Sequence, residues 1–97
     1  MSCSVVLRLY VDNTSVYARR AIAELELLRR SHLGSDSQVE IVDIQEHPEL
    51  AEREGLLAVP ALVRVNPPPR RRIIGDLRDR AAVLSMLELP PASGATR

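Results

Sequence analysis

"VPALVRVNPPPRRRIIGDL", residues 59–77, is the stretch on which the reading of this chain turns. Residues 61–65, ALVRV, are mostly β-branched or apolar and read as a strand. Residues 71–74, RRII, read as another. Asn66 to Pro69 connects them, so the two should form an antiparallel hairpin. Asp76 suits the cap of a following helix, with Leu77, Ala81, Leu84 and Leu87 as its apolar stripe and Pro90-Pro91 as its end. Three adjacent arginines, Arg70, Arg71 and Arg72, raise the question of a polyanion site. Strand residues alternate faces, so Arg71 points opposite to its neighbours and the three cannot make one patch. The chain has only two aromatics, Tyr10 and Tyr17, and so lacks a stacking platform for single-stranded nucleic acid. Pairing with carboxylates, for which arginine is well suited, is the better account of the run.

Outward from this hairpin, residues 5–11 read as a strand. Val5, Leu7, Leu9 and Val11 share one face and Val6, Arg8 and Tyr10 the other. Both faces are substantially apolar, as in a sheet flanked by helices. The polar cluster Asp12-Asn13-Thr14-Ser15 suits a turn and an N-cap. Residues 16–32 then read as a helix, with Ala18, Ala21, Ile22, Leu25 and Leu28 as a buried stripe and Glu26–Arg30 as a favourable i,i+4 pair. Gly34 is placed to end it. Residues 39–44 read as a second strand, parallel to the first through a right-handed crossover. In "HPELAEREG", Pro48 suits the first helical position and Gly55 stops a short helix. The order is β-α-β-α-β-β-α. That is the order of a thioredoxin-like α/β domain, a mixed four-stranded sheet with helices on both faces, and Val59-Pro60 falls where such folds place a cis proline.

Composition narrows the function. At 97 residues the chain makes one small domain, here set at residues 1–91 with a disordered tail over 92–97. The formal net charge is zero, which argues against a dedicated nucleic-acid or membrane-surface protein. All thirteen basic residues are arginine, a bias that fits a GC-rich coding sequence better than a functional selection. The single cysteine, Cys3, permits no intrachain disulfide and fits the cytoplasm. No secretory leader and no membrane-spanning run is read.

A thioredoxin-type oxidoreductase needs a cysteine pair at the start of the first helix, where the helix N-terminus lowers the thiol pKa. This chain has Asn13-Thr14-Ser15-Val16 there, so dithiol chemistry is excluded. His32, His47 and Cys3 have no metal-ligand spacing, and no triad or glycine-rich phosphate loop is present. No catalytic residue, metal or cofactor is expected. The carboxylates Glu46, Glu49, Glu52 and Glu54 around the second helix read as a solvated face, with a partner-facing surface as the alternative.

Five segments together carry a resemblance: "LRLYV" at 7–11, "RAI" at 20–22, "IVDIQEHPELAE" at 41–52, "LLAVPAL" at 56–62 and "PPPRRRIIGDL" at 67–77. The chain resembles the KaiB family of circadian clock proteins from about residue 6 to residue 90. The resemblance implies a non-enzymatic regulator that binds a KaiC-type ATPase ring and modulates its phosphorylation and ATPase cycle, in circadian or stress-related timing. KaiA-like proteins and histidine kinases are further partners it implies, as is a homo-oligomer, dimer or tetramer. It also implies fold switching: a thioredoxin-like state that binds the ring, and a ground state in which the C-terminal half is rearranged. Carried over by position, Arg20, Glu52, Glu54, Gly55, Arg71, Arg72 and Asp76 fall at partner surfaces. Pro60, Gly75, Met86 and Glu88 fall where the two folds are balanced. The sequence departs from the family pattern in the loop "DNTSVYA", which lacks the usual Gly and Pro. It departs again at Gly55, where a basic residue is common, and at Ala61 in place of Thr. A thioredoxin-like redox or sensor domain with a different protein partner is the competing expectation.

Overall fold

The computed structural model describes residues 5–33, 37–75, 77 and 80–87. Among these residues four strands and three helices follow in the order β1 (Val6–Val11), α1 (Val16–His32), β2 (Gln38–Asp43), α2 (Pro48–Glu54), β3 (Ala61–Asn66), β4 (Arg71–Ile74) and α3 (Arg80–Leu87). The sheet order is β2-β1-β3-β4. β1 runs parallel to β2 and antiparallel to β3, and β3 pairs antiparallel with β4. This is the thioredoxin-like arrangement expected, with the hairpin of residues 61–74 supplying the second half of the sheet. The Val59-Pro60 bond is cis, as are Asn66-Pro67 and Pro68-Pro69 in the connection between β3 and β4.

Each element forms for a local reason. Ser15 caps α1, its side chain accepting from the Tyr17 N–H at 3.1 Å. The helix ends at His32 with an extended Leu33 as cap, one residue before the expected glycine; Gly34 lies outside the described residues. Glu26 accepts from both Arg29 and Arg30 on the solvent side. α2 starts on Pro48, whose missing N–H costs nothing at that position, and stops at Gly55 in the left-handed region, φ 74°. There the Gly55 N–H donates to Glu52 O and the Leu56 N–H to Ala51 O, so both loose carbonyls are satisfied.

Two cores separate the faces of the sheet. On one face Leu7, Leu9 and Val11 of β1 and Leu62 of β3 pack with Ala18, Ala21, Leu25 and Leu28 of α1 and with Leu77, Val83 and Leu87 at α3. On the other, Tyr10, Val42 and Val63 are buried beneath Leu50, Ala51 and Leu56 of the α2 region. The α3 stripe departs from expectation at one position. Ala81 is exposed and Val83 is buried in its place. At 3.6 residues per turn Ala81 lies roughly 120° around the helix from Leu87, whereas Val83 stacks directly below it. The expected cap Asp76, Cys3 and the tail 92–97 lie outside the described residues. Among the described residues no helix is long and apolar enough to cross a membrane.

Candidate functional site

The residues singled out in the sequence gather into two groups, one on each side of the sheet. The first is a cleft of about 220 Å³ lined by Tyr17, Arg20, Ala21 and Glu24 of α1 together with Pro60 and Gly75. Pro60 and Gly75 meet because the Gly75 N–H donates to Pro60 O at 2.8 Å. Gly75 has φ 107°, a conformation that side-chain-bearing residues rarely adopt, so the hairpin exit is built around it. Arg20 is thus brought beside two positions far away in the chain, a juxtaposition that only the folded sheet creates.

The second group lies on the α2 face. Strand register sets Arg72 opposite Val63 and Ile74 opposite Ala61, so Arg70, Arg72 and Ile74 share the α2 side while Arg71 and Ile73 point to the α1/α3 side. The expected splitting of the arginine run is therefore what the fold shows. Arg70 Nη1 pairs with Glu54 Oε1 at 2.6 Å, and Arg72 Nη1 donates to the Glu54 backbone carbonyl at 2.7 Å. Two arginines at β4 thereby hold the C-terminal end of α2, complementing its negative dipole end. Glu54 is turned inward by this pairing, whereas Glu52 faces solvent. Arg8 on β1 donates from Nε to Glu40 at 2.7 Å and from Nη1 to the Tyr10 hydroxyl at 3.4 Å. These two acceptors, Tyr10 first, raise the Arg8 guanidinium above its ordinary value. Ile74, on the α2 side of β4, is 48% exposed, and Leu57, in the segment that leaves α2, is 96% exposed.

Met86 is exposed on α3, and Glu88 falls outside the described residues, as does Asp76. Sequence reasoning missed Arg64. This β3 residue is only 3% exposed, and its guanidinium donates to Leu87 O and, at 2.8 Å, to Pro69 O. A signal was there: a charged residue inside the otherwise apolar run ALVRV, on a strand expected to be covered on both faces. It also passed over Arg53, which stands with Arg8, Tyr10 and Arg70 around one surface pocket.

The geometry defines a thioredoxin-like domain whose first helix is capped by Ser15 and whose start lacks the cysteine pair that redox chemistry needs. Its shape agrees. The N-terminal domain of SasA from Synechococcus elongatus superposes with a TM-score of 0.71 at 24% identity, over 88% of this chain and 82% of that one. A mutant thioredoxin from Halobacterium salinarum NRC-1 superposes with a TM-score of 0.63 at 26% identity, over 91% of this chain and 79% of that one. The KaiB domain model matches residues 8–89. The circadian clock protein KaiB3 of Synechocystis sp. is 40% identical over 87 residues, 90% of this chain and 85% of that protein. The circadian clock oscillator protein KaiB of Gloeothece citriformis is 39% identical over 84 residues, 87% of this chain and 79% of that protein. The chain belongs to the KaiB family.

Proposed function

We propose that this protein is a non-enzymatic regulator that docks on a KaiC-type ATPase ring and modulates its phosphorylation and ATPase cycle in circadian or stress-related timing. The observation that carries the reading is the family match across residues 8–89, joined to a thioredoxin-like arrangement whose redox position holds no cysteine. The docking face in this reading is that of α2 and β4, with Glu52, Glu54, Gly55 and Arg72 at or around the contact; Arg71, on the other side of β4, and Asp76 are partner-contact positions by the family resemblance alone. Its support is physical. α2 buries no residue of its own, Leu57 and Ile74 are uncovered beside it, and polar side chains ring it. An apolar centre with a charged rim is the composition of a protein interface. Arg20, beside Pro60 and Gly75, belongs to a second contact region on the opposite side.

In the same reading residues 1–91 form one domain. The half of the chain beyond Pro60 has a second packing, used in a homo-oligomer, with Gly75, Met86 and Glu88 among the positions that balance the two states. Two packings coexist only when they lie within a few kcal/mol of each other. KaiA-like proteins and histidine kinases are the further partners in this scheme.

Native mass spectrometry of the protein with its cognate KaiC-type ATPase, with and without ATP, tests the proposal. A complex of defined stoichiometry is expected; none under any nucleotide or phosphorylation condition overturns it. NMR secondary shifts over residues 77–88 in the free protein report which packing dominates, helical for the thioredoxin-like state and extended for the other.

A further inference from the structure

On the α2 face a pocket of about 390 Å³ is lined by Arg8, Tyr10, Leu50, Arg53, Glu54 and Arg70. Three guanidinium groups therefore meet one carboxylate in a single concavity. Glu54 is engaged by Arg70, and Arg8 is engaged by Glu40 outside the pocket. Arg53 is exposed and, among the described residues, has neither hydrogen bond nor ion pair. Glu49, one turn before it and at a spacing that allows pairing, lies instead 3.6 Å from His47. Arg72, next on the same side of β4, donates to a backbone carbonyl at the end of α2 and, among the described residues, to no carboxylate. Within the pocket lining itself, three guanidinium groups face the single carboxylate of Glu54, in a protein whose formal net charge is zero.

We infer that this pocket receives an acidic side chain, an aspartate or glutamate, projecting from the docking segment of the protein partner, with Leu57 and Ile74 taking up apolar residues flanking it. The inference rests on the proposed docking of the α2 face and adds the chemistry the partner must present there. A carboxylate fits the donors: the fork of Arg53 is free, Arg70 commits Nη1 to Glu54 and keeps its other nitrogens, and Arg8, with Nε on Glu40 and Nη1 on the Tyr10 hydroxyl, keeps Nη2. The ring of Tyr10 is 1% exposed, so the pocket offers no aromatic surface for stacking a base, and a nucleic acid is the poorer occupant. Ile74, exposed on the same side of β4 as Arg70 and Arg72, and Leu57, exposed after α2, favour a protein surface over a free anion, which would leave them uncovered.

The test measures affinity of the intact protein for the cognate KaiC-type ATPase across a range of salt. Arg53→Glu should weaken binding by about tenfold or more at low ionic strength and flatten the salt dependence, as loss of an interfacial charge does. Arg53→Lys should stay within about threefold of the parent, because it keeps the charge. Circular dichroism checks that both variants fold like the parent. Leu57→Asp separates the two readings. If Leu57→Asp abolishes binding while Arg53→Glu and Arg70→Ala leave affinity and salt slope unchanged, docking on this face stands and the acidic pocket is overturned. If none of these substitutions weakens the complex, docking on the face fails, and the pocket with it. Independently, a glutamate-rich hexapeptide should shift the side-chain Nε–Hε NMR signals of Arg53 and Arg70 and lose its effect in Arg53→Ala. An equal response to inorganic phosphate, to a neutral peptide or to a single-stranded oligonucleotide overturns the assignment to an acidic peptide.

Discussion

On the face covered by α1 and α3, β1 contributes Leu7, Leu9 and Val11 to a core that also takes four α1 side chains and three from the α3 region. On the opposite face, the same strand contributes Tyr10 to a core of three buried residues, roofed by a helix that buries none of its own. One face is closed by extensive apolar packing; the other is closed by a smaller apolar core together with Arg70 and Arg72 gripping the end of α2. The difference separates two jobs. Stability is concentrated where the long helix lies, so the α2 face is left with exposed apolar side chains and surplus charge that folding does not use. Functional surfaces are drawn from the less stable parts of a fold for this reason.

The sharpest way to break that comparison is to truncate one leucine on each side. Leu25→Ala, in the centre of the α1 stripe, should cost about 2–5 kcal/mol of unfolding free energy, the usual range for a fully buried leucine. Leu50→Ala, in half-buried α2, should cost about 1 kcal/mol, nearer the average of all substitutions. Urea denaturation monitored by far-UV circular dichroism measures both. Equal losses would mean that the α2 face contributes as much to folding as the other and is no spare surface.

A second test falls on Arg64, which lies on the closed face yet is charged. Its guanidinium ties the end of α3, through Leu87 O, to the proline connection, through Pro69 O. Arg64→Met keeps much of the volume of the stem but strands these carbonyls, a loss of about 1–3 kcal/mol. Hydrogen exchange should show the loss first in α3 and the β3–β4 connection, with α1 amides changed least. A more stable Arg64→Met variant would show instead that desolvating the charge outweighs its hydrogen bonds, as can happen for buried ions.

How far these features were legible in the sequence depends on how local their cause is. The bounds of α1, its Ser15 cap, the Gly55 stop of α2 and the two-sided burial of β1 follow from patterns confined to single elements and their flanks, and the fold carries all of them. The splitting of Arg70 and Arg72 from Arg71 was legible because alternation on a strand is a local rule. The expectation of carboxylate pairing holds for Arg70, while Arg72 takes a backbone carbonyl instead; that Glu54 would be the partner was not legible, since it depends on where α2 ends over β4. The burial of Val83 in place of Ala81 depends on how α3 rotates against Leu87, a packing choice with no local signature. The pocket of Arg8, Arg53 and Arg70 joins three parts of the chain that only the folded sheet brings together, and the cleft of Arg20, Pro60 and Gly75 is equally non-local. Periodicity cannot see either, because each residue alone reads as an ordinary surface position.

The smallest expected effect lies on the solvent side of α1, where neither face of the sheet is involved. The Glu26 carboxylate accepts hydrogen bonds from Arg29 and, at 3.5 Å, from Arg30, and the Arg29 hydrogen bond is the main cause that holds its pKa below the usual glutamate value. A carboxylate whose pKa is depressed by folding binds fewer protons in the native state than in the unfolded one at mildly acid pH. Its contribution to stability is therefore fully present above the ordinary value of about 4.3 and is lost as pH falls through the lower native value. Asp12 behaves in the same direction, lowered chiefly by the hydrogen bond from the Thr14 hydroxyl. Unfolding free energy followed from neutral pH downward should accordingly decline at acid pH, and the decline should be slightly shallower in Glu26→Gln. Because the pair is exposed, the difference should shrink in high salt, in contrast to the cost of Leu25→Ala, which salt screening does not touch. Identical pH profiles for Glu26→Gln and the parent at low salt would mean that the arginines of α1 contribute nothing through this carboxylate, and that the whole acid response arises elsewhere.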